Sequence, residues 1–153
     1  MSDWVRALGI DYGTARIGVA VSDDIGLLAH PLETVPGGDS EKAAARIAEL
    51  VRLRRIEHLV VGLPLHLRGE EGAAVARVRT FLETLRPQLP EGVGVHEVDE
   101  HRTTVSAMEK LHAAGRNAKN AKGIIDMAAA VEILQGWLDQ RAGESLPSGE
   151  EDW

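Results

Sequence analysis

The chain of 153 residues contains no cysteine. A disulfide framework and any thiolate metal site, zinc fingers included, are therefore excluded, and a reducing cytosolic setting is compatible. No apolar run approaches the ~18 residues of a membrane span, and Met1-Ser2-Asp3-Trp4 lacks a basic region followed by an apolar stretch. No membrane association and a cytoplasmic location are expected. Positive charge is also short: 17 lysines and arginines stand against 24 acidic residues, a net charge of −7. A protein that coats nucleic acid non-specifically needs a basic face, which this balance argues against. The imbalance is concentrated, however. Residues 144–153 hold Glu144, Glu150, Glu151 and Asp152 and no base, leaving 17 basic against 20 acidic residues elsewhere, so a local positive face is allowed. Internal repeats are absent.

What is present starts near the N-terminus, where two β-branched, apolar runs flank a turn built from Gly13 in the stretch 8–23. The first run ends on Asp11, which would stand at the exposed rim of a sheet; Gly13 and Gly18 permit a tight turn and close backbone approach beside it. The alternative is a β-hairpin whose Asp and Gly are turn chemistry alone. Val5 to Ile10, Arg16 to Val21 and Leu27 to Val35 read as an antiparallel meander, with Pro31 putting the third strand at an edge. Ser40 reads as the N-cap of a helix to about Arg55 that turns Ile47, Leu50 and Val51 to one side. A strand over Glu57 to Gly62 follows. Val75, Val78, Leu82 and Leu85 repeat at helical spacing until Pro87, and a strand over Val93 to Val98 runs into Asp99-Glu100. Thr103 to Ala114 and Gly123 to Gln140 read as helices, with a polar link over 115–122 and a disordered acidic tail over 144–153.

A meander followed by βαβα units implies an α/β three-layer domain over 1–143, a mixed five-stranded sheet with helices on both faces. With right-handed crossovers, the strand ending at Asp11 and the later parallel strands finish along one edge, the usual ligand edge, where Asp11 and Glu100 would meet. A third acid, Asp126, interrupts an otherwise apolar run, Ile124 to Val131. Burying it ionised and unpaired would cost several kcal/mol, and placement in the first helical turns returns only ~0.3–1 kcal/mol from the helix dipole, so a metal compensates it more naturally. A solvated or capping role is the alternative. Residues 101–122 carry Arg102, Lys110, Arg116, Lys119 and Lys122 against Glu109 alone, a local charge of +4 with histidine neutral. That segment could grip phosphates or be a solvated basic face. His30, His58, His66, His96 and His112 lack metal-ligand spacing and read as structural or exposed.

Four blocks, GIDYGTARIGVAVSD at 9–23, VVGLP at 60–64 with RGEEG at 68–72, VDEHRTT at 98–104 and IDMAAAVEILQ at 125–135, span about nine-tenths of the chain in order. On these blocks the chain resembles the pre-16S rRNA nucleases, also described as Holliday-junction-resolvase-like proteins, in the ribonuclease H-like superfamily. The resemblance implies a ribonuclease H-like fold, with Asp11, Glu100 and Asp126 as the acidic trio that binds divalent metal. It matches Arg16 to the family's basic residue in the first block and Thr103 and Thr104 to its paired threonines. One departure stands out. Family members commonly read Asp-Glu-Arg-aliphatic-Thr-Thr, whereas His101 takes the Arg position here and Arg102 the aliphatic one.

Phosphodiester hydrolysis must activate a water and stabilise a leaving alkoxide, and two hard cations ~3.5–4 Å apart do both. Oxygen-only ligands point to Mg²⁺ or Mn²⁺, one or two ions, with Asp11 central. Arg16, Arg68, Arg102, Thr103, Thr104, Arg116, Lys119 and Lys122 are the expected nucleic-acid contacts, the loop over 63–72 forming another wall of the cleft. The expected substrate is structured RNA, with 5′-end processing of precursor 16S rRNA implied by the family; branched DNA is the alternative, and a homodimer is allowed. Two further classes compete. Actin-like ATPases share an Asp-x-Gly-Thr loop but close two domains over nucleotide, and a non-catalytic nucleic-acid-binding module would have a degraded acidic set.

Overall fold

A computed structural model of the protein describes residues 5–64, 71–99 and 118–144, and for positions 71, 118–126 and 144 the backbone path alone. In chain order the elements are β1 (Ala7–Asp11), β2 (Arg16–Ser22), β3 (Ala29–Pro36), α1 (Ser40–Leu53), β4 (His58–Leu63), α2 (Glu71–Leu85) running into a 3₁₀ turn (Arg86–Gln88), β5 (Gly94–Asp99) and α3 (Ala118–Glu144). The five strands form one sheet in the order β3-β2-β1-β4-β5. β2 is antiparallel to both β1 and β3, whereas β4 is parallel to both β1 and β5, so the sheet is mixed as expected. The expected helix over 103–114 lies outside the described residues.

The strands alternate in a way that decides which helix covers which face. Leu8, Ile10, Ile17, Val19, Leu59, Val61 and Leu63 point to one side and pack with Ile47 and Val51 of α1 and Val78 and Leu82 of α2. Ala7, Ala20 and Val60, from the opposite parity, pack with Ala130, Ile133, Leu134 and Leu138 of α3. Bulky residues therefore face two helices and alanines with Val60 face a single long helix, the two sets separated by the period of two. At Gly9 an added Cβ would stand 2.7 Å from Leu134 Cβ and 3.0 Å from the Ala130 carbonyl oxygen, so glycine is what lets α3 lie this close to β1.

Strand ends shift by one or two residues from the sequence expectation, and three helix boundaries differ from it as well. Asp39, in extended conformation, caps α1 in place of Ser40: its carboxylate accepts from the Glu41 and Lys42 amides, both at 3.1 Å. Aspartate's fixed charge favours the helix N-terminus beyond what serine offers. α3 begins at Ala118 and not at Gly123, since Ala-Lys-Asn-Ala-Lys contains no breaker and an interior glycine is tolerated at a cost of about 1 kcal/mol. It also continues past Gln140 to Glu144, one residue into the stretch read as tail. On the edge strand β3, Val19 pairs with Glu33 and Ala20 with Pro31, so Leu32 is an extra residue at a bulge beside the proline.

Candidate active site

Asp11 is the last residue of β1 and is half-buried. Its parity is that of Ala7 and Gly9, so it belongs to the sheet face that carries α3. The strand end is fixed from the opposite face by Tyr12, whose ring lies 5.0 Å from that of Phe81 on α2. The turn beyond leaves no room for a side chain at Gly13, nor at Gly37 packed against it. A Cβ on Gly13 would come within 2.5 Å of the Arg16 carbonyl oxygen, and one on Gly37 within 2.7 Å of the Gly13 carbonyl oxygen, while the Gly37 amide donates to Ala15 at 2.9 Å. Gly13 thus serves close packing of the chain on itself, and the end of β3 buttresses the turn that follows Asp11.

Register places the neighbouring positions. Asp11 pairs with Gly18, and Arg16, two residues earlier on β2, shares that parity and lies farther along the same edge. Across β4, Ile10 pairs with Val61, which pairs with Glu97; β5 ends at Asp99, so position 100 follows directly on a strand end at the edge where Asp11 stands. α3 runs antiparallel to β1. Leu134 and Ala130 sit over Gly9, and further along α3 the Trp137 ring lies 5.1 Å from His58 at the start of β4, which pairs with Ala7 at the start of β1. Position 126 is one turn before Ala130, about 6 Å along the helix axis. Asp11 lies about 6.6 Å beyond Gly9 in the same direction. Positions 119, 122, 126 and 130 follow one another by three or four residues and so form one stripe of α3.

Asp126 is the ninth residue of α3, not a first-turn residue. The helix dipole acts within the first turn, so it does not offset charge at this position. Arg68, Glu100, Arg102, Thr103, Thr104 and Arg116 lie outside the described residues, and for Lys119, Lys122 and Asp126 the helix backbone alone is described. Among the described residues no group of three His, Asp or Glu side chains could hold a metal ion.

A cluster of different character occupies the far end of the α3 face. His58 Nδ1 and His96 Nε2 are 3.0 Å apart, and both rings lie about 5 Å from Trp137, over which the Arg141 guanidinium sits at 5.4 Å. Burial holds both imidazoles below the usual histidine range, and the Arg141 charge lowers them further. The sequence shows two histidines 38 residues apart; only the register of β4 on β5 reveals that they meet. They stand at the end of the sheet opposite Asp11.

A family model described as RuvX, Holliday junction resolvase, matches residues 5–140. The chain belongs to the RuvX family. Relatives of this RuvX chain include a protein of Nocardia farcinica, 47% identical over 95% of this chain and 83% of the relative, and one of Streptomyces coelicolor, 46% identical over 95% and 86%. Both are named "Putative pre-16S rRNA nuclease". Among solved structures, T. thermophilus RuvC in complex with Holliday junction substrate superposes with a TM-score of 0.52 at 20% identity, covering 91% of this chain and 96% of that one. Fowlpox virus resolvase gives a TM-score of 0.55 at 8% identity over 89% and 98%. At such identities the likeness concerns the fold, which the RuvX chain shares with RuvC-type resolvases: a ribonuclease H-like mixed sheet.

Proposed function

We propose that this chain is a metal-dependent nuclease that hydrolyses phosphodiester bonds in structured nucleic acid, with the 5′ end of precursor 16S rRNA as its substrate. The observation that carries the reading is the position of Asp11, half-buried at the end of the central strand on the α3 face, with β5 ending at the same edge one residue before Glu100. The names of the relatives at 46–47% identity supply the substrate. Such a substrate sets the action in the cytoplasm; among the described residues no helix is long and apolar enough to cross a membrane.

The donor set fits a hard cation. Asp11, Glu100 and Asp126 offer carboxylate oxygens alone, the preference of Mg²⁺ and Mn²⁺, and Asp11 stands half-buried at a strand end. When bound, the metal supplies a nucleophilic water and charge stabilisation for the leaving oxygen. Asp11, central on the sheet, would hold it together with Glu100 and Asp126. Arg16, on the same edge and face, orients the phosphate beside Asp11. Lys119 and Lys122, on the helical stripe of Asp126, grip the strand with Arg68, Arg102, Thr103, Thr104 and Arg116. The close seat of α3 on Gly9 fixes how far position 126 stands from Asp11.

The family description favours a second reading, cleavage of four-way DNA junctions, in which two symmetric cuts would call for a homodimer. The two are separated by a cleavage assay with Mg²⁺ or Mn²⁺ on a precursor carrying the 16S 5′ end, a linear duplex and a four-way junction. Preferred cleavage of the precursor is expected. Resolution of the junction with the precursor intact would overturn the substrate and leave the nuclease.

A further inference from the structure

At the sheet edge opposite Asp11, three arginines from two elements converge on one cavity. Arg6, just ahead of β1, and Arg54 and Arg55, just past α1, line a volume of about 320 Å³ together with Asp24 of the β2–β3 turn and Leu53. Leu53 is 68% exposed, so this wall is open to solvent. Arg6, Arg54 and Arg55 line it with the Asp24 carboxylate, and the Glu33 carboxylate also acts on Arg54, so arginines predominate at this site on a chain of net charge −7.

The end of α1 gives an independent indication. The Ile56 amide donates to the Val51 carbonyl at 3.0 Å and the Arg55 amide to the Arg52 carbonyl at 3.3 Å, the hydrogen bonds of a Schellman cap with Arg55 in its left-handed position. Its φ is +56°, a conformation glycine adopts freely and a side chain adopts at a cost, and it is the one non-glycine residue with positive φ among the described residues. A backbone outlier of this kind signals a requirement beyond local stability. Here the left-handed cap places consecutive arginines, 54 and 55, around the cavity that Arg6 also lines. Complementing the helix C-terminal dipole accounts for a basic residue in the last turn, Arg52, without a strained one after it.

We propose that Arg6, Arg54 and Arg55 form a second phosphate-contact site that holds the nucleic-acid backbone away from the point of cleavage. This rests on the nuclease reading for the identity of the polyanion. Arg6 and Asp11 are five residues apart on an extended strand, about 17 Å, so the site engages substrates that reach across the sheet and not a short strand held at the catalytic edge. Arginine suits it because the planar guanidinium pairs with phosphate through two parallel hydrogen bonds.

The test is binding of a long structured RNA to the full chain carrying Asp11→Asn, by fluorescence anisotropy across a salt series. Each lost phosphate contact lowers the slope of log K against log salt by about 0.7–0.9. Arg54→Gln with Arg55→Gln is expected to flatten that slope by about one to two and to weaken affinity near 0.1 M salt at least tenfold. In the otherwise unaltered enzyme the same pair should leave cleavage of a short substrate unchanged. Arg55→Gly separates structure from binding: it relieves the left-handed strain, so it should melt at or above the parent temperature and still bind long RNA more weakly. Unchanged slope and affinity in both variants would overturn the site, as would a loss seen with polyglutamate and not with RNA, which would indicate an acidic protein partner. Retained arginine-dependent RNA binding with no cleavage of any substrate would overturn the nuclease reading and support the site.

Discussion

Replacing Gly9 by alanine adds one methyl group where β1 and α3 are closest. That carbon would stand 2.7 Å from Leu134 Cβ and 3.0 Å from the Ala130 carbonyl oxygen. Neither atom can swing away, because a Cβ and a carbonyl move only with the helix backbone. Carbon–carbon contacts are comfortable at about 3.5–4.0 Å, so α3 has to lift by about 1 Å over Gly9. Overpacking of this kind costs about 1–3 kcal/mol. For a chain of this size that lowers Tm by about 2–12 °C. The same lift moves position 126 away from Asp11, and a 1 Å misplacement costs about 100-fold in rate. The assay is a thermal melt followed by cleavage of the precursor well below the lowered Tm. Gly136→Ala on the same helix is the control: its Cβ meets nothing within 4 Å, so it should be neutral or stabilising by up to about 1 kcal/mol. An unchanged Tm in Gly9→Ala would refute the close seat of α3. A lowered Tm with full activity would refute the link between that seat and the metal site.

Three further outcomes are expected. Ser22→Ala should cost about 1–3 kcal/mol, because the buried hydroxyl accepts from the Ala7 amide at 2.9 Å and donates to the Val5 carbonyl at 3.1 Å, and removal leaves both unsatisfied; a denaturant melt within 0.5 kcal/mol of wild type would contradict this. The His58–His96 pair, held below the ordinary histidine range by burial and then by Arg141, binds protons less readily folded than unfolded, so its stability is present above pH of about 6.5 and is lost as pH falls through the folded values. Melts between pH 7 and 5 should show that loss, and Arg141→Gln should make it shallower; an equal fall in both proteins would exclude Arg141 as a cause. If Asp11, Glu100 and Asp126 form the proposed acidic site, millimolar Mg²⁺ or Mn²⁺ at neutral pH should raise the wild-type Tm, while Asp126→Asn should be at least as stable without metal and gain less from it, because it carries one fewer like charge there. An equal metal response would remove Asp126 from the ligand set.

The fold was legible where periodicity is local. A meander followed by alternating strands and helices predicts helices on both faces of the sheet, and the two buried clusters obey this. Pro31 predicts the edge strand, and Pro87 ends α2 at Leu85. Boundaries set by a single competing group were less legible: Asp39 out-competes Ser40 as a cap, and Gly123 does not break a helix already propagating from Ala118. That last shift alters the chemistry, because it moves Asp126 out of reach of the helix dipole. Asp11 was legible because it ends an apolar strand. The His58–His96 contact and the Arg6, Arg54 and Arg55 cavity were not, since strand register and the left-handed cap at Arg55 bring together residues the sequence holds apart.

The central claim is that Asp11 anchors a metal-dependent nuclease centre. It is tested most directly by measuring single-turnover cleavage of a precursor bearing the 16S 5′ end by wild type and Asp11→Asn at saturating Mn²⁺. Asparagine keeps the volume and removes the charge, so the variant should fold with an unaltered melt and cleave more than ~100-fold more slowly. Cleavage by Asp11→Asn at the wild-type rate would contradict the account.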